Sequence, residues 1–272
     1  MKRFGILLIF ALLLTSSSKD SYDEQVRKNL LSGTIRIAGS TSMEKVTKTL
    51  AGAFTSMHPN VTIDVQLGGS SSGIAQTLSG IVDIGNTSRE LNPAETGLRQ
   101  TKVAIDAIAV ITNKNNPVTG LSLGDLQDIF TGKYNNWHYL CDVNFPILPI
   151  GRENGSGTRM SFESIVLGGE SPPLYGRELG EAGSIISAVA NYNGGIGYVS
   201  LAFIDESVRI LSVDGYMPSE DTIRCENYKL HSPYIMVTRE GENRPLIKSF
   251  LDFVLSKTGQ EQVRKCGLIP VG

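Results

Sequence analysis

From residue 34 onward the chain repeats one pattern: a short alternating apolar run, a loop of glycines and hydroxyls, then apolar residues at helical spacing. A period of two marks strands and a period between three and four marks helices. Thr34–Ala38 alternates, Gly39–Ser42 turns, and Met43, Val46, Leu50, Phe54 and Met57 then recur at helical spacing. Thr41 with Glu44 three residues on has the pattern of a capping box, which predicts a helix start at Thr41 or Ser42. Val61–Leu67 is a second predicted strand, followed by a short helix over Ile74–Ser79 and a third strand over Val82–Gly85. Asn92-Pro93-Ala94-Glu95 predicts another helix start, with proline in the first turn.

Val103–Ile111 is nearly continuous apolar sequence broken by Asp106, as expected of a strand buried on both faces. Ser122–Phe130 reads as a helix capped by Ser122 and Asp125, and Ile147–Gly151 as a strand ending at Arg152. Thr158–Val166 and Ser184–Tyr192 read as helices; Ile196–Val199, Val208–Leu211 and Tyr234–Thr238 read as strands. Leu246–Leu255 and Gln260–Lys265 are closing helices. Strands alternating with helices predict an α/β fold with mostly parallel pairing, in which ligands sit where strands end and helices begin.

Composition removes several function classes. Of the 272 residues, 40% are hydrophobic, which excludes a disordered chain, and the net charge of −2 argues against a nucleic-acid binder. Three cysteines, Cys141, Cys225 and Cys266, cannot form a disulfide framework and lack metal-site spacing. No GxxxxGK[ST] pattern is present, which disfavours a nucleotide triphosphatase. No cofactor is expected.

The unusual residues concentrate at four predicted strand-to-helix junctions: Gly39–Ser42, Gly68–Gly73, Asn86–Arg89 and Arg152–Thr158. Glycine lets backbone approach a ligand closely, a helix start offers free N–H groups and partial positive charge, and Ser and Thr add neutral donors. Such junctions suit a small oxyanion, and Arg152 adds a two-pronged cation. Each loop by itself is equally explained by Ser and Thr capping a helix; four together favour a ligand. One alternative is a serine hydrolase, because Gly69-Ser70-Ser71-Ser72-Gly73 satisfies GxSxG, with Ser71 as nucleophile and His231 downstream.

In Gly151–Thr158 (GRENGSGT), with Ala38–Ser42, Gly68–Gln76 and Asp83–Arg89 in matching order, the chain resembles the extracytoplasmic phosphate-binding proteins of phosphate-specific ABC transporters. The likeness runs from Gly33 to Gly272. It implies a two-lobed, type II periplasmic-binding-protein fold with two crossovers as a hinge. It implies a non-enzymatic monomer that captures inorganic phosphate and delivers it to membrane permease subunits. The ligand positions it carries over are Thr41, Ser42, Ser70, Ser88, Arg152, Asn154, Ser156, Gly157 and Thr158, with Ser71, Ser72 and Arg89 as further candidates. Some members have acids where Ser88 and Asn154 stand; an acid there accepts the proton of hydrogen phosphate and repels sulfate. Another oxyanion, sulfate or molybdate, is therefore the alternative ligand. Arg89 and Arg159 are placed to contact the anion or to pair with Glu153, and Trp137 and Tyr139 to pack within a lobe.

Lys2 and Arg3 precede an apolar run, Phe4–Leu14, that is too short to span a bilayer. With the Ser-rich stretch after it, residues 1–17 read as an export signal and residues 18–32 as a tether, giving a periplasmic or outer-face location. Leu14-Thr15-Ser16-Ser17 is similar to a lipoprotein box with Ser17 in place of the lipidated cysteine. The expected lobes are residues 33–112 with 237–272, and residues 113–236, with crossings near Asn113–Pro117 and Tyr234–Thr238.

Overall fold

The computed structural model describes residues 31–169 and 176–271. The expected signal, the lipoprotein-like box and all but the last residues of the tether lie outside the described residues. The N-terminal part is built on β1 (Gly33–Gly39), β2 (Val61–Leu67) and β3 (Ile84–Thr87), with β1 parallel to both neighbours. Helix α1 (Glu44–Met57) buries Val46, Leu50 and Phe54 against this sheet, as the spacing requires, whereas Met57 is exposed. Phe54 meets Phe250 and Phe253 of α7 (Pro245–Leu255), and the closing helix α8 (Lys257–Lys265) completes this core through Val263. Helix α2 (Ser70–Leu78) packs on β1 and β3; a Cβ on its Gly73 would stand only 2.6 Å from the Ala38 carbonyl oxygen.

Strand β4 (Leu98–Asn113) is long enough to join two parts of the molecule. Its first part pairs antiparallel with β11 (His231–Arg239), from Leu98–Arg239 to Ala107–His231. From Ile108 to Thr112 it pairs instead with β8 (Gly195–Ser200), and β11 in turn pairs with β3. Beyond β8 lie β6 (Leu148–Arg152) and β7 (Arg177–Leu179), giving the order β2-β1-β3-β11-β4-β8-β6-β7. The short β9 (Val208–Ile210) also pairs with β4, and β5 (Gly120–Leu121) pairs with β10 (Ser212–Val213) in a separate small sheet. The outer pairings are parallel, as expected. The centre is not, because β4 and β11 traverse the molecule in opposite directions and β4 is antiparallel to both neighbours. The change of partner falls between Ala107 and Ile108, before the polar Asn113–Pro117 stretch that the sequence suggested.

The second part buries α3 (Leu123–Phe130) and α4 (Gly157–Val166) around Phe130, Phe162, Tyr198 and Trp137. The Ser122/Asp125 capping box of α3 is present as predicted. Trp137 is buried with its indole N–H on the Gly194 carbonyl, and Tyr139 stacks on Tyr134, so both aromatics pack within this part. Helix α5 (Ala182–Ala190) covers β8 and β9 through Ile185, Ile186 and Val189, and α6 (Glu220–Arg224) is a short helix absent from the sequence reading.

Two helix starts differ from expectation. Asn92–Glu95 forms a turn, not a helix: the Glu95 carboxylate accepts from the Asn92 N–H at 2.7 Å and from both terminal nitrogens of Arg89, and β4 begins at Leu98. No capping box forms at Thr41; a single 3₁₀ turn, Thr41–Met43, precedes α1, and Glu44 pairs with Lys48. The Thr41 hydroxyl is engaged by Arg152 across the molecule. All three cysteines are free.

Candidate oxyanion site

Three helical starts meet where β1, β2 and β6 end. The 3₁₀ turn after β1 supplies Thr41 and Ser42, α2 begins at Ser70 and α4 begins at Gly157. Gly69 precedes α2 at φ 82°, a conformation that favours glycine, and the Ser71 N–H donates to the Gly155 carbonyl at 3.2 Å. This bond joins the loop after β2 to the loop after β6. Gly157 leaves no room for a side chain: a Cβ there would stand against the Ser70 hydroxyl and 2.6 Å from that of Ser88.

The hydroxyls form one cluster. Ser42 Oγ lies 2.8 Å from Thr158 Oγ1, Ser88 Oγ lies 3.4 Å from Thr158 Oγ1 and from Ser70 Oγ, and Ser40 Oγ donates to Ser88 Oγ at 2.9 Å. The Ser88 N–H donates to Ser70 Oγ at 3.1 Å. Ser70, Ser88 and Thr158 have no solvent exposure. Arg152 enters from the end of β6. Its Nη2 donates to Thr41 Oγ1 and to the Gly180 carbonyl, both at 2.6 Å, and its Nη1 to Ser42 Oγ at 3.2 Å. Arg152 is 2% exposed, and burial pushes its guanidinium down from the ordinary value. Among the described residues no carboxylate lies within ion-pair distance of it, and its Nε has no hydrogen-bond partner. The arrangement is therefore a buried cation among neutral donors and helix starts, which stabilises negative charge.

Of the sequence candidates, Thr41, Ser42, Ser70, Ser88, Arg152, Gly157 and Thr158 come together. Ser156 is buried beside them but caps α4, accepting from the Arg159 N–H. Asn154 stands outside: it is exposed and its carbonyl accepts from the Gly155 N–H. Ser72 accepts from Gln76, and Ser71 Oγ lies 3.5 Å from an Arg89 nitrogen rather than against His231. Arg89 forms a two-pronged pair with Glu95, and Arg159 pairs with Glu163 and Glu178, so neither pairs with Glu153. Ser40 and the Gly180 carbonyl join the cluster without having been singled out. Ser40 sat in a loop already flagged, whereas nothing local to Gly180 signals that role.

A family profile described as a PBP superfamily domain matches residues 25–258. The chain belongs to the PBP superfamily. Within that superfamily it is 31% identical to the phosphate-binding protein PstS of Bacillus subtilis (strain 168), over 94% of this chain and 86% of that protein. PstS of Borreliella burgdorferi is 26% identical over 98% of both chains. A Clostridium perfringens structure, described as a phosphate ABC transporter substrate-binding protein with bound phosphate, is 38% identical. It superposes with a TM-score of 0.85 over 88% of this chain and 100% of that one. An ABC-type phosphate transport receptor from Vibrio cholerae, 29% identical, matches with a TM-score of 0.75 over 86% and 99% of the two chains. The two-lobed periplasmic-binding-protein fold implied by the sequence is the fold observed.

Proposed function

We propose that this chain is a substrate-binding protein that captures inorganic phosphate between two lobes and delivers it to the permease of an ABC transporter. One observation carries the reading: Arg152 is buried, has no carboxylate partner among the described residues, and donates to Thr41 and Ser42 at the edge of a cluster whose hydroxyls include those of three helical starts. A buried charge without a counter-charge costs several kcal/mol. A dianion at the cluster offsets that cost and, in turn, loses its water only where its oxygens are hydrogen-bonded. Ser42, Ser70, Ser88 and Thr158 supply neutral donors for it, with the helix-start N–H groups. Gly157 keeps the approach open, and Thr41 orients the guanidinium.

The lobes of this reading meet where β4 leaves β11 for β8, between Ala107 and Ile108, and where the chain enters β11 at His231. Ser42, Ser70 and Ser88 belong to one lobe, Arg152 and Thr158 to the other. An anion touching both sets shifts the population toward a closed form, which is the form a permease distinguishes. The protein works outside the cytoplasm as a monomer, with residues 1–17 directing export and Ser17 leaving that position unlipidated. No helix among the described residues is long and apolar enough to cross a membrane.

Replacing Arg152 with Gln tests the central cation. The variant should fold, melt at or above the wild-type temperature because a costly buried charge is gone, and lose phosphate binding measured by equilibrium dialysis. Wild-type affinity in this variant would overturn the site.

A further inference from the structure

The crossing strands carry a buried carboxyl that the anion site does not touch directly. Asp106 sits in β4 one residue before the change of partner, with no solvent exposure. Its Oδ1 accepts from Ser200 Oγ at 2.7 Å, and Ser200 Oγ accepts from the Ala202 N–H at 3.3 Å. Its Oδ2 lies 2.9 Å from the Tyr234 hydroxyl, which also lies 2.9 Å from the Ser42 carbonyl oxygen. Tyr234 is fully buried too. Ser232, opposite Asp106 in the β4–β11 ladder, is buried with its hydroxyl unpartnered among the described residues, so it adds no donor to the carboxyl.

The proton count around Tyr234 is the decisive feature. A phenol has one proton to donate and a backbone carbonyl has none. Two hydrogen bonds at the Tyr234 oxygen therefore need a second proton, and the remaining partner is Asp106. If the carboxyl is ionised, Tyr234 must choose between the carboxylate and the Ser42 carbonyl. If it is protonated, every contact is satisfied. Ala202 N–H donates to Ser200, Ser200 to Asp106 Oδ1, Asp106 Oδ2–H to Tyr234, and Tyr234 to Ser42. This chain runs from β8 through the crossing strand to the loop whose Ser42 hydroxyl touches Thr158 and Arg152.

We propose that Asp106 is kept as a neutral carboxylic acid and acts as a positioning residue, holding the Ser42 loop in its anion-binding arrangement through Tyr234. Loss of its proton draws the Tyr234 hydroxyl to the carboxylate. It leaves the buried Ser42 carbonyl without a donor and sets a negative charge behind the anion. Burial raises the Asp106 carboxyl to about 7, against smaller opposing effects of its bonds from Ser200 and Tyr234. The groups facing it are Tyr234 of β11, Ser200 of β8, and Tyr228 from the segment before β11. The phenol of Tyr228 is pushed up by burial and by the Asp106 charge. Arg152 of β6 faces Tyr234.

The test compares the wild-type chain with Asp106→Asn, whose amide fixes the neutral pattern: one N–H donor toward Tyr234, one oxygen toward Ser200. Phosphate affinity is measured for both at each pH, so that the titration of phosphate itself cancels in the ratio. The two proteins should track one another at about pH 5.5, and wild type should then weaken relative to the variant by roughly tenfold per pH unit beyond the carboxyl's folded value. Tyr234→Phe, which removes the link to Ser42, should weaken binding at every pH. Infrared difference spectra of wild type against Asp106→Asn should show a protonated-carboxyl band at acidic pH. The melting temperature of wild type should fall relative to the variant as pH rises from 3.8 to about 7, since a raised carboxyl stabilises only while protonated. A pH-independent deficit in Asp106→Asn, or no protonated-carboxyl band, would overturn the proposal. The affinity arm rests on the phosphate reading; if wild type binds no phosphate at any pH, that reading fails, while the infrared and melting arms still decide the state of Asp106.

Discussion

Arg152, Ser70 and Thr158 each show what a residue can and cannot announce. Arg152 stands in a loop whose glycines and hydroxyls already suggested an anion, and the structure buries it without a carboxylate partner among the described residues. Ser70 is the first residue of α2 and Thr158 the second of α4, next to the position where a hydroxyl commonly caps its own helix. Here the caps are Gly69 and Ser156, so the Ser70 and Thr158 side chains are released to the cluster. Removing one donor to a charged acceptor costs about 1.5–3 kcal/mol. Ser70→Ala and Thr158→Ala should therefore each weaken phosphate binding by roughly ten- to a hundredfold, seen by calorimetric titration, with circular dichroism unchanged. Unaltered affinity in both would remove the hydroxyls from the site. Asn154 was expected in this set because the family resemblance carries that position over. It is exposed instead, and its side-chain carbonyl accepts from the Gly155 N–H.

The strands and helices that position these residues were legible because apolar period marks them. The spacing of Val46, Leu50 and Phe54 and the alternation of Thr34–Ala38 both describe faces that are buried. Both misread helix starts involve polar side chains that look like local caps but serve other partners too. Thr41 meets Arg152 across the molecule, and Glu95, while accepting from the Asn92 N–H, also pairs with Arg89, and an α-helix opens by a capping box at neither. The antiparallel centre was equally hidden, because strand direction is set by which elements cross the molecule and not by any residue in β4. The Arg89–Glu95 pair should tie the Asn92–Glu95 turn to the loop that carries Ser88. Arg89 holds the Glu95 carboxyl below its ordinary value of 4.5 through side-chain hydrogen bonds, so this stabilisation is present above 4.5 and lost as pH falls through the lowered value. Glu95→Gln should accordingly melt earlier than wild type at neutral pH, and the gap should close in acid. A gap that persists at acidic pH would show that the charge is not what holds the turn.

At the scale of the whole molecule, two sets of loops on either side of the β4 and β11 crossings face each other across one buried cation. The chain's net charge of −2 gives a phosphate ion no general attraction, so binding must come from local dipoles, hydroxyls and Arg152. The loop sequences pointed to an oxyanion site, and the family resemblance to its division between two lobes. The sheet order adds that the two sides are joined through the antiparallel strands β4 and β11. Among the described residues the cluster holds no carboxylate of its own, so in the proposed site the proton of hydrogen phosphate falls to a hydroxyl acceptor such as Ser88. The most direct test is calorimetric titration of phosphate into the full chain after bound anion has been removed by unfolding and refolding, repeated in the presence of excess sulfate. Phosphate should bind saturably, one to one, and sulfate should not abolish the binding. Absence of binding heat, or displacement of phosphate by sulfate at comparable concentration, would contradict it.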